Sequence, residues 1–336
     1  MQAEIQVMKV KKILSFDKAG RFFPALILIK YFLRKGRIIN YKNPKLFSEK
    51  IQWLKVYDCL PIKTQLADKL AVRNWVMKKL QSYPRPLRPA KPVHMSDNIG
   101  SISPHPLEEK EELLNEYNEF CNSSKGSDNV LYLKKIYGIY EKYEDIDFSK
   151  LPDEYVIKTN HGCNMQLLVI EGAKPDDSDR ETFNNYLKVN YAYKSGYEMH
   201  YRDIKPFIFT EEYIKNTNEL FEYLIFCFNG EPKMILFASE KRTDNVCCTM
   251  FDTEWNNLHF NYGGSLHPFE VPKPKNLDKM LEIARILSKD FKFVRVDLHN
   301  VDGKIYFGEM TFTPASGYMK FNPRKYDRIL GDMLVL

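Results

Sequence analysis

Arg295, Asp297 and Glu309 are the residues of this sequence whose types and spacing most directly suggest chemistry. They lie in residues 291–317, FKFVRVDLHNVDGKIYFGEMTFTPASG. The alternation Phe293, Val294, Arg295, Val296, Asp297, Leu298 predicts a strand. Asn300-Val301-Asp302-Gly303 supplies a turn, and Lys304–Met310 reads as the returning strand. Such a hairpin gathers two carboxylates and a guanidinium. Carboxylate oxygens suit a hard cation such as Mg²⁺, and the guanidinium fork suits phosphate. The plainer alternative is an ordinary hairpin whose charges face water, and spacing alone leaves both open.

A phosphate cradle is the natural complement. The chain has neither a GxxxxGK loop ending in Ser or Thr nor a GxGxxG, so P-loop and Rossmann readings have no support. It does have Lys158 at the end of a predicted strand, before the loop Thr159-Asn160-His161-Gly162-Cys163-Asn164. Backbone N–H groups of such a loop can lie over phosphates that a lysine neutralises. His161 and His200 are candidate bases, read more simply as structural histidines; Cys163 has no ordered histidine partner in view and is not read as a nucleophile.

Positioning these groups requires helices first and sheets later. Residues 1–80 look helical. One helix holds Leu26, Ile27, Ile29, Tyr31 and Phe32 and stops at Gly36; a second runs over 48–57 and a third over 67–76, with Asp68-Lys69 at its start. Residues 81–129 open with crowded prolines, close on SSKGSDN, and read as a flexible insertion carrying one acidic helix. From 130 the pattern turns to strands and helices. The apolar run Leu131–Tyr140 is expected to cross into a strand, and further strands are expected at Tyr155–Lys158, Gln166–Ile170, Pro206–Ile214, Phe221–Asn229 and Lys233–Ser239, with helices at 180–194 and Leu277–Lys289.

The chain has 336 residues, 44% hydrophobic and 28% charged, at net charge +6, which is ordinary for a globular protein and too mild to require nucleic acid. The six cysteines form no CxxC pair and read as reduced thiols of a cytoplasmic protein. The apolar run Phe22–Leu33 is too short to span a bilayer and is interrupted by Pro24 and Lys30. The basic residues from Lys9 to Arg37 read as a solvated helix face, with peripheral docking to the inner face of a membrane as the functional alternative.

In order, these features resemble the ATP-grasp superfamily, and more narrowly the TupA-like ATP-grasp family found with teichuronopeptide, capsule and other surface-polysaccharide genes. The stretches that carry the resemblance are 43–58 (NPKLFSEKIQWLKVYD), 66–76 (LADKLAVRNWV), 155–164 (YVIKTNHGCN), 204–214 (IKPFIFTEEYI), 226–233 (FCFNGEPK), 251–256 (FDTEWN) and 307–318 (FGEMTFTPASGY). Residues 81–129 stand outside it. The resemblance implies an α+β ATP-grasp fold, with a helical region over 1–80, the insertion over 81–129, and an ATP-grasp domain over 130–336. Within that domain the lid subdomain would span about 151–209 and the C-terminal subdomain about 210–336.

The resemblance also implies roles. Lys69 and Lys158 would contact the phosphates of ATP, with His161 and Gly162 in the lid loop. Glu211, Glu212, Tyr213 and Ile214 would form the adenine hinge, and Glu222 would take the ribose. Arg242 and Arg295 would lie near the γ-phosphate or the acyl-phosphate, and Asp297, Glu309 and Thr311 would hold Mg²⁺. Thr311 stands where peptide ligases of the superfamily usually have Asn, and a hydroxyl is a weaker oxygen ligand than an amide carbonyl. The implied reaction is ATP-dependent ligation of a carboxylate, such as a uronic acid of a sugar or glycan, to an amino acid or small amine. A sugar kinase, a glycosyltransferase-associated enzyme or a non-catalytic nucleotide-binding regulator on the same fold are the alternatives.

Overall fold

The computed structural model describes residues 23–82, 131–194, 196–214, 221–239, 246–260, 263 and 265–336. The expected insertion and most of the N-terminal basic run therefore lie outside the described residues. Helices come first: α1 (Phe23–Lys35), α2 (Phe47–Tyr57), α3 (Pro61–Ala67) and α4 (Ala71–Gln81). There follow β1 (Ile136–Tyr140), β2 (Tyr155–Thr159), β3 (Gln166–Val169), α5 (Asp177–Leu187), α6 (Tyr191–Lys194) and β4 (Ile208–Glu212). The chain continues as β5 (Glu222–Phe228), β6 (Glu231–Ser239), β7 (Cys247–Asp252), α7 (Leu277–Ser288), β8 (Phe293–Val301), β9 (Lys304–Thr311) and α8 (Lys325–Met333).

The expected α+β class is what the strands form. One antiparallel sheet has the order β1-β4-β2-β3 and a second the order β7-β6-β5-β8-β9. The five-stranded sheet is buried on both faces, because alternate residues serve two cores. Tyr223, Ile225 and Cys227 of β5, with Val294, Val296 and Leu298 of β8, pack on Leu277, Met280, Ile283, Ala284 and Leu287 of α7. Leu224, Phe226, Phe228 and Phe293 point the other way, onto Phe47, Ile51 and Leu54 of α2 and Leu330 of α8. The smaller sheet packs Tyr155, Ile157 and Ile208 on Phe183 of α5. Its opposite face carries Lys158 and Glu211 beside the buried Val156 and Phe209.

Local differences from expectation have local causes. The helix expected over 67–76 begins only at Ala71, with Asp68-Lys69-Leu70 separating it from α3. The Asp68 carboxylate accepts the N–H groups of Leu70 and Ala71, which starts a new helix there. The helix expected over 180–194 divides at Asn190, whose side chain accepts the Ala192 N–H. The turns narrow to Asn229-Gly230 and Asp302-Gly303, all four at positive φ, as two-residue hairpins require. Pro232 is thereby drawn into β6, opposite Cys227 where the register shifts. Strand β7 and helices α3 and α8 were not foreseen.

The β8–β9 register carries one irregularity of consequence. Asp297 pairs with Glu309 and Leu298 with Phe307, so Gly308 is an extra residue in β9. A Cβ on Gly308 would lie 2.8 Å from the Asp297 carbonyl oxygen, which leaves room there for glycine only. Before the bulge Ile305 and Phe307 face the α7 core; after it Met310 and Phe312 do. The extra residue shifts the alternation by one and sets Glu309 on the same face as Asp297.

Candidate active site

Hairpin β8–β9 assembles the first group of side chains. Arg295 grips Asp297 with both arms of its fork, Nε to Oδ1 at 2.7 Å and Nη2 to Oδ2 at 2.6 Å. The same Nη2 donates to the Thr311 hydroxyl at 3.1 Å and lies 3.6 Å from Glu309 Oε1, to which Thr311 also donates. Arg295 and Asp297 are nearly buried, whereas the Glu309 side chain is 41% exposed and faces the open side.

The smaller sheet supplies the second group. Lys158 on β2 and Glu211 on β4 project from the face opposite α5, with Val156 opposite Glu211 and Lys158 opposite Phe209 in the ladder. Lys158 Nζ is 2.6 Å from Glu211 Oε1, Lys134 Nζ is 4.0 Å from the same oxygen, and Arg73 pairs with Oε2. Burial opposes the charge on Glu211, yet Lys158, Arg73 and Lys134 hold its carboxyl well below the usual carboxylate range. Burial and the Lys158 charge together bring Lys134 down to about 8.

The two groups meet through the chain between α3 and α4. Asn160 Nδ2 donates to Asp68 and to the Lys205 carbonyl, its Oδ1 accepts the Phe207 N–H, and its carbonyl accepts the Lys69 N–H at 3.0 Å. Lys69 Nζ donates to the Gly162 carbonyl. Burial lowers the Lys69 pKa; Glu309 acts against this and Lys158 adds to it, so Lys69 is within charge reach of both groups. Gly162 is hemmed by the Tyr191 ring, 2.7 Å from where a Cβ would stand.

Other expected residues take quieter places. Glu212 accepts the Lys135 N–H at the end of β4, and Tyr213 and Ile214 follow it half-buried. Glu222 opens β5, and its charge reaches Lys134. His161 Nε2 donates to the Tyr186 carbonyl, 3.2 Å away, and burial lowers its pKa. His200 is buried between Tyr201 and Phe312, with its pKa pushed down to about 3 by burial first, then by Lys63 and Lys55, so it is a neutral packing residue. Burial raises the Cys163 thiol, which makes it a poor nucleophile. Arg242 lies outside the described residues.

The sequence reading missed Arg73, Lys134 and Lys55. Arg73 Nε reaches the Lys69 carbonyl one helical turn back, its Nη1 donates to the Lys134 carbonyl, and its guanidinium lies 5.5 Å from the Phe209 ring. The spacing of four from Lys69 was its only sequence signal. Lys55 is buried and donates to Gln52, Gly196 and Ser316, pinning the loop after β9. Burial brings Lys55 down to about 7, against the pull of Glu198.

For a divalent ion, the donors brought together are the carboxylates of Asp297 and Glu309 and the hydroxyl of Thr311. Among the described residues no cluster of three or more His, Cys, Asp or Glu offers an alternative. Hard oxygen donors, few from the protein, fit Mg²⁺, which completes its shell with phosphate and water. Two surface hollows, of about 600 and 410 Å³, lie elsewhere and contain none of these groups.

The family model described as TupA-like ATPgrasp matches residues 115–335. The match starts inside the stretch assigned to the insertion and leaves α1–α4 outside. No curated protein matches the chain. Among solved structures, the D-alanine–D-alanine ligase of Bacillus anthracis complexed with ATP is 17% identical, covering 57% of this chain and 54% of that one, at a TM-score of 0.30. An L-amino acid ligase of Bacillus licheniformis is 15% identical over 52% of this chain and 37% of its own, at 0.31. The phosphoribosylamine–glycine ligase of Thermotoga maritima is 17% identical over 59% and 46%, at 0.32. The chain thus spans about half the length, or less, of these relatives.

Proposed function

The chain belongs to the TupA-like ATP-grasp family, and from that premise we propose that it is an ATP-dependent carboxylate–amine ligase. It would form an amide through an acyl-phosphate, joining an amino acid or small amine to a uronic acid during surface-polysaccharide assembly in the cytoplasm. The observation that carries the reading is the convergence at Lys69. Its N–H donates to the Asn160 carbonyl and its Nζ to the Gly162 carbonyl, which ties it to the loop after Lys158, while the Glu309 charge on the other sheet favours its protonated form.

A carboxylate is a poor electrophile because resonance stabilises it and oxide is a poor leaving group. In the proposed reaction its oxygen attacks the γ-phosphorus of ATP and ADP departs. The amine nitrogen then attacks the acyl carbon, phosphate leaves, and the departing phosphate can accept the proton the amine gives up. Lys69 and Lys158 would neutralise the phosphate chain, and Arg295 would offer its fork to the transferring phosphoryl group. Asp297, Glu309 and Thr311 would hold Mg²⁺, which when bound supplies positive charge to the phosphate oxygens. Glu211, Glu212, Tyr213 and Ile214 would bind the adenine and Glu222 the ribose.

ADP release with Mg-ATP, across uronic-acid sugars with and without a panel of amines, tests this directly. Release that needs both partners, with an amide found by mass spectrometry, is the expected result. ADP release with a phosphorylated sugar and no amine requirement would make the protein a kinase. ATP binding without release under any pair would turn the reading toward a regulator.

A further inference from the structure

The last turn of α1 and the loop behind it form a surface that the proposed reaction does not use. On the inner side of α1, Ala25, Ile27 and Tyr31 are buried, with Ile27 and Tyr31 packed on Ile39 and Tyr318. On the outer side Leu33 is 76% exposed and Phe32 42%, and Ile38, just past the Gly36 stop, is 50% exposed. Singly exposed apolar residues are ordinary, but here three stand within seven positions. Exposed Arg34 and Arg37 lie between them, and exposed Lys42 follows.

Charge is concentrated in the same part of the chain. The first 47 residues hold eleven lysines and arginines against two acids, Glu4 and Asp17, a net +9 where the whole chain is +6. The remainder is therefore net negative. Cations interleaved with exposed apolar side chains suit a surface that is anionic outside and hydrocarbon within: headgroup phosphates pair with the arginines, and Leu33, Phe32 and Ile38 enter the acyl boundary. A nucleic acid would use the charge and leave the apolar side chains in water. A second copy would use the apolar side chains and set like charges against one another. We propose that residues 32–42 are a docking surface for an anionic lipid membrane.

The surface is mechanically tied to the loop that follows Glu309. Lys35 Nζ donates to the Met319 carbonyl, and Lys30 and Arg34 stand 5.8 and 5.3 Å from the Tyr318 ring. Docking through α1 therefore holds the 314–319 loop beside the lipid surface, where an acceptor carried on a lipid would arrive. This inference does not depend on the ligase reading, because its readout needs neither ATP nor substrate.

The test is co-sedimentation of the full chain with vesicles of phosphatidylcholine alone and of phosphatidylcholine mixed with phosphatidylglycerol. Binding is expected only to the anionic mixture, weakening with added salt. The doubly substituted Leu33→Asp, Ile38→Asp chain, altered only at exposed positions, is expected to bind at least about tenfold more weakly. Unchanged thermal unfolding would show that its fold is intact. Equal binding to neutral vesicles, no binding to anionic ones, or undiminished binding by the variant overturns the proposal. So does a single-stranded oligonucleotide bound as tightly as the anionic vesicles, or a dimer in vesicle-free solution that the variant breaks.

Discussion

Arg73 and Glu211 form an ion pair across 138 positions of sequence, with the Glu211 side chain 1% exposed and that of Arg73 10%. The pair joins α4, outside the stretch the family model matches, to the strand expected to carry the adenine hinge. Arg73→Ala removes one of three cations around a buried carboxylate and also frees the carbonyls of Lys69 and Lys134. The expected cost is about 3 kcal/mol of stability, read by denaturant unfolding. A rise in KM for ATP larger than any fall in kcat should accompany it. Arg73→Lys should recover part of the stability but little of the KM, because an ammonium cannot span three acceptors. Unaltered KM in both variants would sever Arg73 from the nucleotide site.

Gly308→Ala tests the bulge. Its Cβ would meet the Asp297 carbonyl oxygen at 2.8 Å, a backbone atom that cannot swing aside. We expect about 1–3 kcal/mol of destabilisation by calorimetry, with a disproportionate loss of ADP release because Glu309 is displaced from Asp297. Normal turnover in a destabilised variant would show that the register of Glu309 is not critical.

Glu309→Gln retains the size of the side chain and removes its charge. Turnover is expected to fall at least about a hundredfold while thermal unfolding stays near that of the parent, since the Glu309 side chain is 41% exposed. Near-parental ADP release would sink the assignment of the metal site.

Thr311→Asn exchanges a hydroxyl for an amide carbonyl. The Mg²⁺ concentration for half-maximal ADP release is expected to fall several-fold, provided the Asn side chain replaces the contacts Thr311 makes with Arg295 and Glu309. A rise would mean that those two contacts matter more than the ligand's donor strength.

His200 gives a pH prediction. Its folded pKa is about 3, below the 6.5 of the free side chain, because burial disfavours the imidazolium. The unfolded chain therefore binds a proton that the folded chain refuses between these values, and stability falls as pH drops through that window. By linkage the loss at pH 5 is about 2 kcal/mol relative to neutral pH. His200→Phe, with its ring kept between Tyr201 and Phe312, should flatten this part of the stability profile. Equal acid slopes in the two proteins would refute the cause.

How much of this was legible follows from what a local window can see. The β8–β9 hairpin was legible because alternation and Asp302-Gly303 act over neighbouring residues. The gathering of Asp297 and Glu309 followed from the hairpin, but the extra residue at Gly308 that sets them on one face did not, because a bulge leaves no periodic trace. Lys69 and Lys158 were nameable by resemblance, but the residues that fix them were not. Arg73 meets Glu211, and Asn160 meets Asp68 and Lys205, over separations that no pattern encodes. Strand β7 is an edge strand whose mixed run Cys247–Asp252 lacks clean alternation, and α3 is a seven-residue helix below the length at which periodicity shows.

Asn160 uses both donors of its amide, its side-chain oxygen and its own carbonyl to join three separate segments. On the proposed reading, the phosphate loop is therefore anchored at its root. Opening to admit ATP or release ADP would then fall to residues 161–164, a length that reaches at most about 13 Å when fully extended. Such a short tether would limit the sweep of the loop, and the rest of the nucleotide would enter past a rim that Asn160 ties to Asp68 and Lys205.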